Sequence, residues 1–187
     1  MFLTDKDIRQ AVEAGDIVLT PFEVSRLQPA SYDILLGNTF VVTDPHSTTH
    51  IDPVKKIFPK TREIVISDND TFVLHPGVSI LGYSRDHFGS KKYMVEVNGK
   101  SSLARIGLLV HNSASLINPG HFLNVALELC NLNHVPIVLR PGMPIAQLTF
   151  SMLSSAPTQE YEKVGRYAKD NMKGYVVAKN HRNTKHG

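Results

Sequence analysis

A short polar stretch in the middle of the chain carries residue types that bind phosphate groups. Residues 98–105 read Asn-Gly-Lys-Ser-Ser-Leu-Ala-Arg and supply a flexible glycine, two cations, two hydroxyls and several backbone N–H groups. Charge-assisted hydrogen bonds from such groups suit a polyphosphate. The same stretch also reads as a polar hairpin loop that leads into an apolar run, and the pattern alone leaves both interpretations open.

One carboxylate, Glu128, interrupts an otherwise apolar run over residues 122–130. Alternation predicts a strand here, because neighbouring side chains of a strand point to opposite faces of the sheet. Glu128 lies on the mixed face, which fits either the solvent side of a sheet or the wall of a pocket. The apolar face consists of Leu123, Val125, Leu127 and Leu129.

Metal-binding patterns are weak in this sequence. His46 and His50 are four residues apart, a spacing that forms a zinc site only on a helix, and Pro45 and Pro53 flank them. Cys130 is the single cysteine, which excludes an internal disulfide framework and the two-cysteine zinc signature of nucleobase deaminases. We therefore predict no zinc and no metal held by the protein itself.

The elements that position these residues are predicted to be mostly short strands. Thr4 and Asp7 predict a capped N-terminal helix that stops near Gly15. Beyond it, turn residues recur between short runs rich in β-forming residues, a pattern typical of an antiparallel sandwich or barrel. Residues 44–61 read as a loop. The predicted strand runs are 39–43, 63–67, 78–83, 93–97, 135–139 and 145–150.

Composition bounds the class of protein. The chain has 187 residues, 42% of them hydrophobic, which suits one compact domain. The 20 Lys and Arg against 17 Asp and Glu leave a net charge of only +3, which gives no support for a nucleic-acid partner. No apolar run approaches the ~20 residues that a membrane span needs, and no signal-peptide pattern opens the sequence. We expect no membrane association and a cytoplasmic location.

A set of ordered motifs makes the sequence recognisable. The motifs lie at residues 99–111, 117–120, 126–129, 139–143 and 145–148, with weaker ones at 3–8 and 28–37. Together they closely resemble the dCTP deaminases, which belong to the trimeric dUTPase-like superfamily. The resemblance implies a mainly β protein, with a distorted jelly-roll-like β-barrel and a short N-terminal helix over residues 1–155. It also implies a C-terminal tail, 156–187, that can close over the nucleotide site.

The resemblance further implies partners and site residues. The expected ligand is dCTP or dUTP carried with Mg²⁺, and the expected assembly is a homotrimer with sites at subunit interfaces. Glu128, Ser101 and Arg105 match the catalytic set, with Arg105 reaching the site of a neighbouring subunit. The matched substrate contacts are Lys100 and Ser102 at the phosphates, Ala114 in the backbone strip that reads the pyrimidine edge, Asn118 at the sugar, and Ala126, Leu127, Gln147, Tyr161 and Arg166 at further positions.

Chemistry supports Glu128 as the proton carrier of a metal-free deamination. Water must add at C4 of cytosine and ammonia must leave, yet free water has a pKa of about 15.7 and no zinc lowers it. A general base must therefore take the proton and return it to the ring or the leaving nitrogen. Burial in a closed pocket makes a carboxylate a better base. We expect Glu128 to be largely buried near Ser101 and the Arg105 of a neighbouring subunit.

Asn118 decides the product expected from the sequence. The resemblance places an aspartate here, and in dUTPase relatives this acid activates the water that attacks the phosphate. Asparagine cannot take a proton. We therefore predict that the reaction ends at dUTP and ammonia. The alternatives are a bifunctional deaminase–dUTPase and a non-catalytic homologue that only binds a pyrimidine nucleotide.

Overall fold

The computed structural model describes residues 1–159, 161–165 and 167–168. It begins with helix α1 (Asp5–Glu13), which buries Ile8 and Ala11. A capping box starts this helix. The backbone N–H of Thr4 donates to the Asp7 carboxylate over 3.1 Å, and the Asp7 N–H donates to the Thr4 hydroxyl over 3.4 Å. Gly15 follows the helix with φ of 77°, so both the predicted start and the predicted end are confirmed.

The capping box carries a pH-dependent prediction. Hydrogen bonds from the Thr4 hydroxyl and then its backbone N–H hold the pKa of Asp7 below the ordinary value of 3.8. The stabilisation is therefore present above that value and is lost as the pH falls through the lowered, folded-state pKa. Thr4→Ala should lower the melting temperature at pH 7, because loss of an N-cap costs about 1 kcal/mol. The difference should shrink in acid; equal melting temperatures at pH 7 would contradict the prediction.

Thirteen strands and a 3₁₀ turn (Val24–Arg26) make up most of the remaining structure described by the model. Two one-turn helices, α2 (Ser101–Ala104) and α3 (Tyr161–Val164), complete it. The strands are β1 (Ile17–Thr20), β2 (Leu27–Gln28), β3 (Ser31–Thr43), β4 (Thr61–Val65), β5 (Phe72–Leu74), β6 (Ser79–Ser84), β7 (His87–Ser90), β8 (Tyr93–Gly99), β9 (Leu108–Leu109), β10 (Leu116–Ile117), β11 (Ala126–Asn131), β12 (Ile137–Leu139) and β13 (Pro144–Met152).

One curled antiparallel sheet dominates the fold. Its strand order is β10-β8-β13-β3-β6-β11-β9, with β2 and β4 also paired to β3. The first half of β3 pairs with β13, and the second half pairs with β6 and β4. Gly37 lies at the change, where a Cβ would stand only 2.9 Å from the carbonyl oxygen of Tyr83. Glycine therefore permits the close approach that curls the sheet.

The core lies inside this curl. Its largest fully buried side chains include Tyr32, Phe40, Phe88 and Phe150. All six runs predicted as strands contain a strand. Residues 44–60 form turns and bends with one isolated bridge, as predicted, whereas Thr61, the last residue of the predicted loop, begins β4. The prediction of a mainly β fold with a short N-terminal helix is confirmed. No helix in the described part of the chain is long and apolar enough to cross a membrane.

The predicted strand over residues 122–130 is shorter than expected. Regular pairing begins only at Ala126, whereas Leu123 forms an isolated bridge with Phe88. The side chain of Asn124 explains the interruption, because its amide donates to the carbonyl oxygens of Ser84 and Arg85. The predicted alternation is confirmed within β11, where Leu127 and Leu129 are fully buried.

Candidate active site

The polar stretch singled out from the sequence forms the junction between β8 and α2. Strand β8 ends at Gly99, and Lys100 is the residue that precedes the helix. Ser101, Ser102 and Arg105 lie on or directly after this single turn, and all three are exposed. The stretch is therefore a strand-to-helix junction with its hydroxyls open to a ligand or to another chain.

Lys100 forms an ion pair that the sequence did not predict. Its ammonium lies 2.6 Å from Oδ2 of Asp33, and the two side chains are 22% and 12% exposed. The other carboxylate oxygen, Oδ1, is buried and has no hydrogen-bond partner. Asp33 belongs to the weaker motif at residues 28–37. A signal was present, since Asp33 is a charged residue flanked by two core residues, Tyr32 and Ile34, in a strand-forming run.

Gln147 joins the same cluster. On β13 it pairs in register with Asp33 of β3 and with Asn98 of β8. Its amide nitrogen donates to the carbonyl oxygen of Gly99 over 3.1 Å, and its Oε1 accepts from the Ser31 hydroxyl over 3.0 Å. The structure thus brings two predicted substrate contacts, Lys100 and Gln147, to one polar face of the sheet. We call Ser31, Asp33, Lys100 and Gln147 the polar cluster.

Glu128 is half-buried on β11 and faces away from the core. Its Oε2 accepts a hydrogen bond of 3.2 Å from the backbone N–H of Asn112. Among the described residues, no hydrogen bond or ion pair joins Glu128 to Ser101 or Arg105. The expected approach of Ser101 and of a neighbouring subunit's Arg105 stays a prediction, because a single chain does not test it.

The neighbours of Glu128 on β11 divide into two environments. Ala126 shares its face and pairs with Tyr83 of β6, so it forms part of the same wall. The side chain of Leu127 points the other way and is fully buried in the core. Only the backbone of Leu127 is therefore able to contact a ligand on the Glu128 side.

The two remaining predicted contacts of the β domain flank β10, with Ala114 in the loop that precedes it and Asn118 directly after it. Ala114 is exposed, and it follows Ser113, whose φ of 67° is unusual for a residue with a side chain. Asn118 is also exposed and begins a turn that is closed by a hydrogen bond from the His121 N–H to its carbonyl oxygen, 3.0 Å long. Gly120 supplies the φ of 84° in this turn.

Tyr161 lies against this turn, although sequence reasoning left its position open. Its ring stacks on that of His121, with centroids 4.2 Å apart. Burial raises the pKa of the Tyr161 phenol above its ordinary value of 10.0. Arg166, the last predicted contact, lies outside the described residues. In the described part of the chain, no group of three or more His, Cys, Asp or Glu side chains could hold a metal ion.

Comparisons with known proteins identify the family to which the chain belongs. A family model described as dCTP deaminase-like matches residues 2–153. A curated relative from Corynebacterium efficiens is 38% identical over 162 residues, covering 86% of this chain and 84% of the relative. Another from Pseudarthrobacter chlorophenolicus is 37% identical over 187 residues, covering 98% and 97%. Both relatives are named dCTP deaminase, dUMP-forming.

A solved structure supports the fold. The 2'-deoxycytidine 5'-triphosphate deaminase from Agrobacterium tumefaciens superimposes with a TM-score of 0.59 at 20% identity, over 88% of this chain. The superposition spans about half of that longer chain, 51%. The matches confirm the resemblance seen in the motifs.

The names of the curated relatives correct one prediction from the sequence. We predicted dUTP as the product because Asn118 cannot take a proton. The relatives are named for the formation of dUMP, so the prediction that the reaction stops at dUTP is wrong. The prediction of the product rested on the residue type at position 118 alone, and residue type does not determine whether a side chain must take a proton or only orients a water. An amide is able to orient an attacking water without taking its proton, as the glutamine of small GTPases does.

Proposed function

This chain belongs to the dCTP deaminase-like family, and from that premise we propose that it converts dCTP and two waters to dUMP, ammonia and diphosphate. One water replaces the amino group at C4, and the other attacks the α-phosphorus and displaces diphosphate. The observation that carries the proposal is the half-buried carboxylate of Glu128, held by the Asn112 N–H on the wall formed with Ala126. A carboxylate fixed in this way is suited to carry a proton between water and a bound pyrimidine. The zinc deaminases use a glutamate in the same role beside their metal.

The first step replaces the amino group of cytosine. Water adds at C4, Glu128 accepts its proton and passes it to the ring nitrogen N3, and a second transfer lets ammonia leave, so that dCTP and water give dUTP and ammonia. Ser101 would orient the water, and Arg105 would stabilise the developing charge. This step needs no metal held by the protein.

The triphosphate is proposed to bind at the polar cluster. dCTP enters as its Mg²⁺ complex, which belongs to the substrate. The Lys100 ammonium and the Gln147 amide supply donors on one face of the sheet, and the exposed Ser102 follows Lys100 by two residues in α2. Charge-assisted bonds from Lys100 would account for much of the affinity.

A homotrimer completes the proposed site. Ser101, Ser102 and Arg105 are all exposed in one chain, and Glu128 has no hydrogen bond or ion pair with Ser101 or Arg105 within the described residues. A site assembled between subunits would cover these groups.

The single half-exposed cysteine fits a reducing compartment, so we place the enzyme in the cytoplasm.

One assay tests the function. The full chain is incubated with dCTP and Mg²⁺, and the products are separated by charge and followed by absorbance, with light scattering reporting the oligomeric state. We expect loss of the cytosine spectrum followed by dUMP and diphosphate. Unchanged dCTP that nevertheless binds tightly would instead indicate the non-catalytic homologue.

Asn118 carries a prediction of its own. If its amide orients the water of the second step, Asn118→Leu should slow dUMP formation by about 10²-fold, the lower range for a lost positioning or proton-transfer group. The cytosine spectrum should still disappear, so dUTP should accumulate. Asn118→Asp restores a polar side chain and should restore dUMP formation. If Asn118→Leu slowed deamination as much as it slowed dUMP formation, a role of Asn118 specific to hydrolysis would be contradicted.

A further inference from the structure

The tail contacts the β domain at the turn that carries Asn118. The Tyr161 ring stacks on the buried imidazole of His121 with 22° between the ring planes. Gly120, which precedes His121, lies close to the backbone of the tail, since a Cβ built on it would be 3.7 Å from the Tyr161 nitrogen. The tail therefore docks on the last two residues of the turn.

Gly165 secures the same ring from within the tail. A Cβ built on Gly165 would lie 2.4 to 2.6 Å from three atoms of the Tyr161 ring, which leaves no room for a side chain. The Gly165 N–H also donates to the Tyr161 carbonyl oxygen over 2.7 Å. We call Tyr161, His121 and Gly165 the aromatic clasp.

Beside this contact, a cleft of about 190 Å³ lies between the turn and the first residues of the tail. Pro119 and Gly120 line it on one side, and Pro157, Gln159 and Glu162 line it on the other, with Lys91 beside them. Pro119, which follows Asn118 in the chain, lines the cleft, so the cleft borders the turn that begins at the proposed sugar contact.

We propose that the aromatic clasp positions the tail against the Asn118 turn, and that His121 and Gly165 thereby act as positioning residues for nucleotide binding. This inference rests on the proposed function. Neither residue needs to contact the nucleotide, because each acts through the ring of Tyr161. An aromatic stack is worth enough to change affinity by about 3- to 10-fold.

Kinetics of matched variants distinguish the aromatic clasp from a direct contact between the Tyr161 phenol and the nucleotide. His121→Leu and Tyr161→Leu should each raise KM for dCTP about 3- to 10-fold with kcat within about twofold, because the tail contributes equally to ground-state and transition-state binding. His121→Phe should restore the parental KM, and Gly165→Ala should mimic Tyr161→Leu. The double leucine variant should be no worse than either single one. Val164→Ala, an exposed change in α3, is the control.

If the two leucine substitutions raised KM for dCTP additively in the double variant, the clasp would be overturned. A KM for His121→Phe as high as that of His121→Leu would also overturn it. A direct contact through the phenol would be revealed by Tyr161→Phe behaving like Tyr161→Leu, and that result would also overturn it.

A second measurement does not depend on turnover. Trypsin cleavage after Lys163 in the absence of nucleotide should be several-fold faster in His121→Leu than in the parent or in His121→Phe, with thermal unfolding measured alongside. Parental cleavage rates in both leucine variants would overturn the clasp. If trypsin cleaves the parent at the slow rate expected but the parent leaves dCTP unchanged, the proposed function is overturned. Faster trypsin cleavage of His121→Leu would still support the clasp in that case.

Discussion

A Glu128→Gln protein should bind dCTP nearly as tightly as the parent and lose deamination by about 10²- to 10⁴-fold, the range for removal of a general acid–base. The glutamine is nearly isosteric and can still accept the hydrogen bond from the Asn112 N–H, so the wall of the site should persist. It cannot take a proton from water. The measurement pairs the loss of the cytosine absorbance with calorimetric binding of dCTP.

A matched control comes from another strand of the same sheet, β4, which pairs with β3. Glu63 on β4 is an exposed glutamate of the same sheet, and Glu63→Gln should leave both turnover and affinity unchanged. Parental turnover in Glu128→Gln would remove Glu128 from the mechanism. Loss of binding and turnover together would assign it a binding role instead.

The second large effect concerns stability. Asp86 is fully buried, and its Oδ1 lies 2.6 Å from the guanidinium of Arg26, which is 8% exposed. Its Oδ2 accepts from the Leu35 N–H over 2.7 Å, and the guanidinium also donates to the Pro21 carbonyl oxygen. Asp86→Ala should lower the free energy of unfolding by about 3–5 kcal/mol, because the buried Arg26 guanidinium would lose its buried carboxylate and keep only the exposed Glu23, 3.4 Å away.

Chemical denaturation of the purified protein measures this loss. The exposed pair of Arg9 and Glu13, with side chains 55% and 67% exposed, is the control, and Glu13→Ala should change stability by less than about 0.5 kcal/mol. Replacing Arg26 as well as Asp86 with apolar residues should recover part of the loss, since the unpaired charge is then gone. If Asp86→Ala and Glu13→Ala lowered the free energy of unfolding by similar amounts, burial of the pair formed by Asp86 and Arg26 would be unimportant.

Several features followed from short-range signals in the sequence. The capping box of α1 depends only on Thr4 and Asp7, three residues apart, and was predicted from them. The alternation around Glu128 fixed which side of β11 faces the core, because a strand has a period of two. The ordered motifs identified the family, since they are short stretches that can be read without coordinates.

Other features could not be read from the sequence because they join distant residues. Lys100 was predicted at the phosphates, but its Asp33 partner became visible only when β3, β13 and β8 were seen side by side. The buried pair of Arg26 and Asp86 spans 60 residues and gave no local pattern. Asn118 misled the prediction of the product, because residue type alone does not reveal whether a side chain must take a proton or only orient a water.

The sequence by itself determined the family, the strand-rich class of fold and the candidate residues, because motif spacing, turn residues and side-chain alternation act over a few neighbours. Only the tertiary structure decided which of those residues meet. Gly37 lets β3 curl past β6 and join the two halves of the sheet, and the stack on His121 brings the tail to Asn118. Such contacts depend on how the whole chain packs its core, and no local pattern encodes that packing.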